Sequence, residues 1–182
     1  MLKAIPLLLQ ILFLQACSSI SVDSYSEFSP SFAPQNFFSG YLTAHGVVKN
    51  RGGLVIRTFN ADIQANWEND IGTLIEDFRF DDGEKQQRIW TLTPDRNGSY
   101  LGTANDVIGA SQLTFAGNTL FMDYVLSIPY GDSTIEVNVD DRMYLVSSDV
   151  LINESRLSKY GFGVGSISLV IIRHDSANIK HN

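Results

Sequence analysis

Apolar and polar residues alternate one by one along much of the chain. Every second residue of 120–128 and of 135–139 is apolar or aromatic, and in the second stretch Glu136 and Asn138 stand between them. Successive side chains of a β-strand point to opposite faces, so this spacing gives a strand with one dry and one wet face. The pattern predicts antiparallel strands that turn one side towards an apolar interior.

Ten segments have this strand character. They are rich in Val, Ile, Thr, Phe and Tyr, which favour strands, and residues typical of turns separate them at short intervals. Asp82-Gly83 and Asn97-Gly98, for instance, supply the left-handed backbone conformations that tight hairpins need. The predicted strands are 41–48, 54–63, 73–80, 88–93, 99–107, 112–115, 119–128, 134–146, 150–157 and 166–172.

Consecutive strands joined by short turns favour a closed or nearly closed sheet. We predict an all-β, antiparallel, lipocalin-like (calycin-like) up-and-down barrel, or a strongly curved sheet, of about 8–10 strands. Trp67 and Trp90 are large enough to anchor its interior. A β-sandwich is the alternative, because it would show the same alternation.

The first residues follow a different pattern. Lys3 precedes an apolar run over 4–14, which fits a secretory signal and is too short to span a bilayer. Leu14, Ala16 and Cys17 then resemble the lipobox, Leu-x-(Ala/Gly)-Cys, of bacterial lipoproteins. Cys17 is the single cysteine of the chain.

The lipobox resemblance implies a cellular location for the protein. Cys17 would carry a covalent diacylglycerol, and after cleavage by the lipoprotein-processing machinery its amine would carry an N-acyl chain such as palmitate. Two or more acyl chains anchor a protein stably to a membrane. Ser18 stands where an aspartate would retain the protein at the inner membrane. The sorting machinery is therefore expected to deliver it to the outer membrane, on the periplasmic face.

Composition divides the chain into four parts and limits its partners. We expect a signal peptide at 1–16, a lipidated Ser/Pro-rich tether at 17–36, a single β domain at 37–173 and a polar tail at 174–182. The net charge is −7, and without Lys3 it becomes 12 − 20 = −8. Such an acidic chain argues against nucleic acid and against electrostatic docking on anionic lipid.

Two predicted strands place charged residues on the dry face. Glu76 shares a face with Leu74 and Phe78, and Arg88 and Trp90 lie in the next strand, across the Asp82-Gly83 turn. A carboxylate among apolar neighbours needs a partner, because burying it alone is costly. Arg88 is thus a candidate partner of Glu76. The pair is either structural or a site for the headgroup of a ligand.

Further charged residues extend this candidate ligand site. Asp106 continues the alternating series of Tyr100, Gly102 and Ala104. Asp141 and Arg142 interrupt an alternating strand, so one charged side chain points inward or a bulge occurs there. The inward alternative predicts a carboxylate paired with Arg88 or Arg142 at the floor of a cavity.

Catalytic chemistry finds little support in the sequence. His45 is the one histidine within 37–173, and no Gly-x-Ser-x-Gly motif accompanies it. Because Cys17 is assigned to lipid, a Cys/His metal site is not expected. We expect no catalytic residues, no metal and no cofactor other than the acyl groups on Cys17.

The strand-rich part also resembles a known family. The motifs that carry the resemblance include FSGYL at 38–42, LIEDFRFDDGE at 74–84, QRIW at 87–90, YLGTANDVIG at 100–109 and DDRMYL at 140–145. They are similar to the DUF3833 family of proteobacterial lipoproteins, over about 37–172. The family has no assigned activity, and its genes often lie near those of enzymes resembling cyclopropane-fatty-acid synthases, which implies a link to membrane-lipid modification. The resemblance also implies a tryptophan where Arg142 stands.

Three functions are compatible with this sequence. The favoured one is a non-enzymatic module that binds a fatty acid, another lipid or a similar apolar ligand inside the barrel. The second is a structural or assembly lipoprotein that acts on a protein partner of the envelope. The third is an enzyme acting on lipid, for which Glu76 and Asp141 would be the groups to test.

Overall fold

The computed structural model describes residues 20–175, which fold almost entirely as β-strands. The signal segment 1–16, Cys17 and the tail beyond Asp175 lie outside the described residues. Two short helices precede the strands: a 3₁₀ helix, Val22–Tyr25, and α1, Pro34–Phe37. The strands are β1 Gly40–Asn50, β2 Val55–Glu68, β3 Ile71–Phe80, β4 Lys85–Pro94, β5 Tyr100–Ala104, β6 Val107–Ile108, β7 Ser111–Ala116, β8 Thr119–Tyr130, β9 Ser133–Leu145, β10 Val150–Lys159 and β11 Phe162–Arg173.

The strands close into an antiparallel barrel. Neighbours along the chain pair from β1 to β5, β7 follows β5, and the order continues from β8 to β11. β11 then pairs with β1, from Leu42 opposite Arg173 to Asn50 opposite Gly165. The short β6 pairs with β8 beside this ring of ten strands. The predicted all-β antiparallel barrel is confirmed, and closure excludes the β-sandwich.

The predicted strand at 99–107 differs from the structure in one respect. It breaks at Asn105, which separates β5 from β6. The side chain of Asn105 accepts a hydrogen bond from the amide of Ile89 and donates one to the carbonyl of Gln87. The Asn105 side chain thus makes the hydrogen bonds that the backbone of β5 would otherwise make to β4, and the chain can turn away from β4 at this point.

The N-terminal segment closes one end of the barrel, which we call the plugged end. Phe32, Phe37 and Phe38 are buried there in one core with Leu42 and Leu151. The amide of Phe32 donates to the carbonyl of Gly117, in the turn between β7 and β8. Aromatic burial holds this segment because each large ring removes much apolar surface from water.

The described part of the expected tether is therefore packed against the barrel rather than free. Tyr25 contacts the rings of Phe121 and Tyr144 on the outer face of β8 and β9. The serine and proline content that suggests flexibility is outweighed here by Tyr25 and Phe32. Among residues 20–175, no helix is both long and apolar enough to cross a bilayer.

The opposite end, which we call the mouth, is formed by four hairpin turns and the break between β5 and β6. The turns join β1 to β2, β3 to β4, β8 to β9 and β10 to β11. The inward side chains near it, such as Val48, Phe80 and Leu157, are half-buried, whereas those near the plugged end are fully buried. The barrel is thus filled at one end and more accessible at the other.

Candidate functional site

A cleft opens in the barrel wall near the mouth. β5 pairs with β4 only from Trp90 onward, and the turn at Asn105 leaves the first half of β4 separated from the end of β8. The gap forms a cleft of about 490 Å³. Its lining combines apolar with charged or amide side chains, among them Phe78, Gln86, Arg88, Asp106, Leu126 and Ile128.

Arg88 is the central charge of this cleft. It lies directly opposite Glu76 in the β3–β4 ladder. Its Nε lies 2.9 Å from both carboxylate oxygens of Asp106, and its Nη2 lies 2.7 Å from Oδ2. Its Nη1 lies 4.0 Å from Oε2 of Glu76, which exceeds hydrogen-bond distance. Asp106 is therefore the direct partner of Arg88, and Glu76 is the looser neighbour.

Burial changes the protonation of Glu76. The Glu76 side chain is 13% exposed and faces the barrel interior. Desolvation raises the pKa of Glu76 to about 7; Arg88 opposes the rise, and Asp106 and Asp141 add to it. For Arg88, burial lowers the pKa, but Asp106 and the other nearby acidic groups outweigh it and the net shift is upward. Near neutral pH Arg88 is thus charged and Glu76 is partly protonated.

Asp141 lies on the inward face of β9 and is 4% exposed. Its Oδ1 accepts hydrogen bonds from Asn153 Nδ2 at 2.5 Å and from Ser155 Oγ at 2.7 Å. Burial raises the pKa of Asp141, and these two hydrogen bonds oppose the rise. β9 pairs in regular register through this point, so Asp141 points inward and the bulge is not formed.

Trp90 and Tyr124 complete the inner wall next to the charges. Their rings meet edge to face, 5.5 Å apart. The Arg88 guanidinium lies 6.0 Å from the Trp90 ring and 5.6 Å from the Phe78 ring. Burial raises the pKa of Tyr124, so its hydroxyl stays protonated. The polar cluster, which we define as Glu76, Arg88, Asp106, Tyr124 and Asp141, therefore has aromatic walls.

Arg142 does not join the polar cluster. It points outward from β9, forms hydrogen bonds with Asp140 at 2.9 and 3.1 Å, and lies over the Phe121 ring. The predicted pairing of Asp141 with Arg88 or Arg142 is also not made, because Asn153 and Ser155 hold that carboxyl. Strand alternation explains the position of Arg142: because Asp141 points inward, its neighbours Asp140 and Arg142 both point outward.

Sequence reasoning missed three members of this region. Tyr124 was placed on the dry face but not connected with the charges. Asn153 and Ser155 follow Leu151 on the inward face of β10, and this alternation is their only signal in the sequence. Among residues 20–175, no group of three or more His, Cys, Asp or Glu side chains is arranged to hold a metal ion.

Comparison with solved structures supports the barrel fold. The chain is similar to an S-type phycobiliprotein lyase, CPES, from Guillardia theta, with 14% identity, a TM-score of 0.55 and coverage of 76% of this chain and 89% of that one. It is also similar to Rv2717c from M. tuberculosis, with 14% identity, a TM-score of 0.56 and coverage of 82% and 100%. At such low identity the likeness extends to the fold alone.

Sequence comparison adds the family. No curated protein matches the sequence. The model of a family described as a protein of unknown function, DUF3833, matches residues 11–173, which includes every strand of the barrel. The chain therefore belongs to the DUF3833 family, as the motifs at 74–84 and 100–109 indicate.

Proposed function

We propose that the barrel binds a small amphiphile, such as a fatty acid, with its headgroup between Arg88 and Glu76. The observation that carries this proposal is the 4.0 Å gap between Arg88 Nη1 and Glu76 Oε2, beside a cleft of about 490 Å³. A cation and a protonated carboxyl that do not bond each other can both donate, and so suit a ligand headgroup with two hydrogen-bond acceptors, such as a carboxylate. The volume is within the range of small-molecule sites.

The apolar part of the ligand would lie against the inward face of the mouth. Phe78, Leu126 and Ile128 line the cleft, and Phe59 and Phe80 continue the apolar surface beyond Phe78. Each buried methylene of an acyl chain contributes about 0.8 kcal/mol. This surface favours an acyl chain over a wholly polar ligand.

We propose that binding is the whole activity of this site. Asp106 engages Arg88 on two nitrogens, and Asn153 and Ser155 engage Asp141. These bonds leave Arg88 Nη1 and Glu76 as the groups available to a ligand. We expect lipids incubated with the full-length protein to be recovered chemically unchanged.

We also propose that the protein is a lipoprotein of the outer membrane, anchored through acylated Cys17 and facing the periplasm. The lipobox supports this location. The described chain begins at Ile20 and reaches the plugged end through Tyr25 and Phe32, so an anchor at Cys17 would leave the mouth free. Cys17→Ser should abolish labelling by a radioactive acyl precursor, whereas the wild-type protein should be labelled.

The binding proposal can be tested with a fluorescent fatty acid and the full-length Cys17→Ser protein. Arg88→Gln removes the proposed headgroup contact, and a lost charged hydrogen bond should weaken binding about 10- to 100-fold. Arg142→Gln is the matched control, since Arg142 also pairs with an aspartate but points outward. Absence of probe binding, or equal losses in both variants, would contradict the proposal.

A second pair of variants avoids the charges altogether. Ile128→Trp should fill the cleft from its rim and reduce binding of the probe, with the polar cluster intact. Ile152→Trp places the same side chain on the exposed outer face and should leave binding unchanged. Unfolding curves for both variants would show that neither change acts through loss of the fold.

A further inference from the structure

Two neighbouring hairpins at the mouth expose large apolar side chains to solvent. They are hairpin β1–β2, over 49–57, and hairpin β10–β11, over 156–166, and they adjoin because Asn50 lies opposite Gly165. Tyr160 is 86% exposed, and Phe162 and Leu54 are each 67% exposed. Ile56 and Val164 are also exposed. This contiguous set of apolar side chains on the hairpin tips is more than scattered surface residues would give.

The backbone at Tyr160 gives a second, independent sign of function. Its φ is +52°, a left-handed conformation that bulky residues rarely adopt. Gly161 follows with φ +80°, as such a turn requires. A glycine would occupy position 160 with less strain, yet the chain holds an aromatic ring there in water. A strained backbone conformation at an exposed aromatic residue indicates that the Tyr160 side chain is used to contact another surface.

The charges of these hairpins are opposite in sign to the charge of the whole chain. The two segments contain Lys49, Arg51, Arg57, Arg156 and Lys159 and no acidic residue, although the chain as a whole has 13 basic and 20 acidic residues. Arg57 is engaged by Asp82 and Glu84 of the neighbouring hairpin β3–β4. Lys49, Arg51 and Lys159 flank the apolar tips, and the Lys159 amine lies 5.3 Å from the Tyr160 ring centre.

We propose that these two hairpins dock the mouth of the barrel on an anionic phospholipid bilayer other than the one that an anchor at Cys17 would enter, because that anchor would lie at the plugged end. Aromatic and aliphatic tips would enter the headgroup region, where tyrosine is favoured, and the basic residues would contact lipid phosphates. Each basic residue near an anionic surface contributes about a fivefold gain in binding. The net negative charge of the chain is spread unevenly. The other two hairpins at the mouth carry Asp81, Asp82, Glu84 and Asp132, so only hairpins β1–β2 and β10–β11 would face an anionic surface.

β11 has 12 residues, so the hairpin tips lie about 40 Å along the strand from the plugged end. Docking on lipid is also independent of the proposed ligand, since an empty barrel would present the same tips.

The first test uses the full-length Cys17→Ser protein and vesicles of equal parts phosphatidylglycerol and phosphatidylcholine. Tyr160→Gly should lower vesicle binding about tenfold without loss of thermal stability, because it removes an aromatic contact and relieves the backbone. Lys49→Ala with Arg51→Ala should lower binding about 25-fold, and pure phosphatidylcholine should give a larger loss, because it also removes the attraction of Lys159. Ile71→Ser, an exposed apolar residue at the plugged end, is the control and should change nothing.

A second readout does not depend on how residues 1–19 interact with the vesicles. Phe162→Cys in the Cys17→Ser background gives one thiol, to which an environment-sensitive fluorophore can be attached. Its emission should shift to the blue when vesicles are added, and the same label on Ile71→Cys should not respond. A shift that depends on protein concentration without vesicles would show a second copy on this surface and overturn the proposal, as would no shift at all.

Discussion

Replacing Glu76 by glutamine should stabilise the protein at neutral pH and leave its stability almost unchanged in acid. The pKa of Glu76 rises from 4.5 to about 7 on folding. Between these pH values the unfolded chain has lost a proton that the folded chain keeps. The stability of the wild type therefore falls as pH rises, by about 1.4 kcal/mol per pH unit and about 3 kcal/mol in all. Glutamine resembles the protonated acid in shape and does not ionise, so this loss should disappear.

The assay is urea unfolding of both proteins at several pH values from 4.5 to 8, followed by tryptophan fluorescence. The difference in unfolding free energy should be small at pH 4.5 and should reach about 3 kcal/mol above pH 7. Glu84→Gln is a useful control, because hydrogen bonds from Gln86 and Arg57 lower the pKa of Glu84 and its contribution is lost only in more acidic solution. A constant difference between Glu76→Gln and wild type across this range would refute the reasoning, since it would mean that Arg88 keeps Glu76 ionised.

Three further changes test the barrel and its plug. Asn153→Leu removes a donor to buried Asp141 and should cost about 1–3 kcal/mol in urea unfolding, with a larger cost at high pH, where that carboxyl is ionised. Gly117→Ala should destabilise the protein and expose the N-terminal segment to proteolysis, because φ is +54° and a Cβ there would meet the Tyr25 carbonyl. Phe32→Ala should cost about 3–5 kcal/mol by thermal unfolding, whereas exposed Phe28→Ala should cost little.

The fold could be predicted mainly from the alternation of apolar and polar residues, because a barrel with a dry interior needs an apolar residue at every second position of its strands. This alternation also placed Glu76 opposite Arg88, since a tight turn at Asp82-Gly83 fixes the register of the strands on both sides. Closure itself depends on pairing between β1 and β11, which are far apart in sequence. No local pattern specifies that contact.

The partner of Arg88 could not be predicted with the same method. Asp106 reaches Arg88 because Asn105 ends β5 early and turns the chain across the gap in the wall. The plug is hard to predict for a different reason: seven serines and two prolines in 18–35 suggest flexibility, but Tyr25 and Phe32 decide where the segment lies. A prediction of flexibility from composition treats all residues of a segment alike, whereas the burial of a few large side chains can fix the segment in place.

The contrast between Asp141 and Glu76 bears on what the ligand must provide. Both carboxyls face the interior, but Asp141 has two donors, whereas Glu76 has its nearest charged nitrogen at 4.0 Å. Burying a carboxyl without a hydrogen-bonded partner costs stability, and apolar residues in its place would commonly give a more stable protein. A buried carboxyl that lowers the stability of the fold, as Glu76 does, is expected at a site where that carboxyl binds a ligand. A ligand carboxylate could accept a hydrogen bond from Arg88 Nη1 and another from protonated Glu76, which would supply the missing partner and bind more weakly as pH rises through about 7.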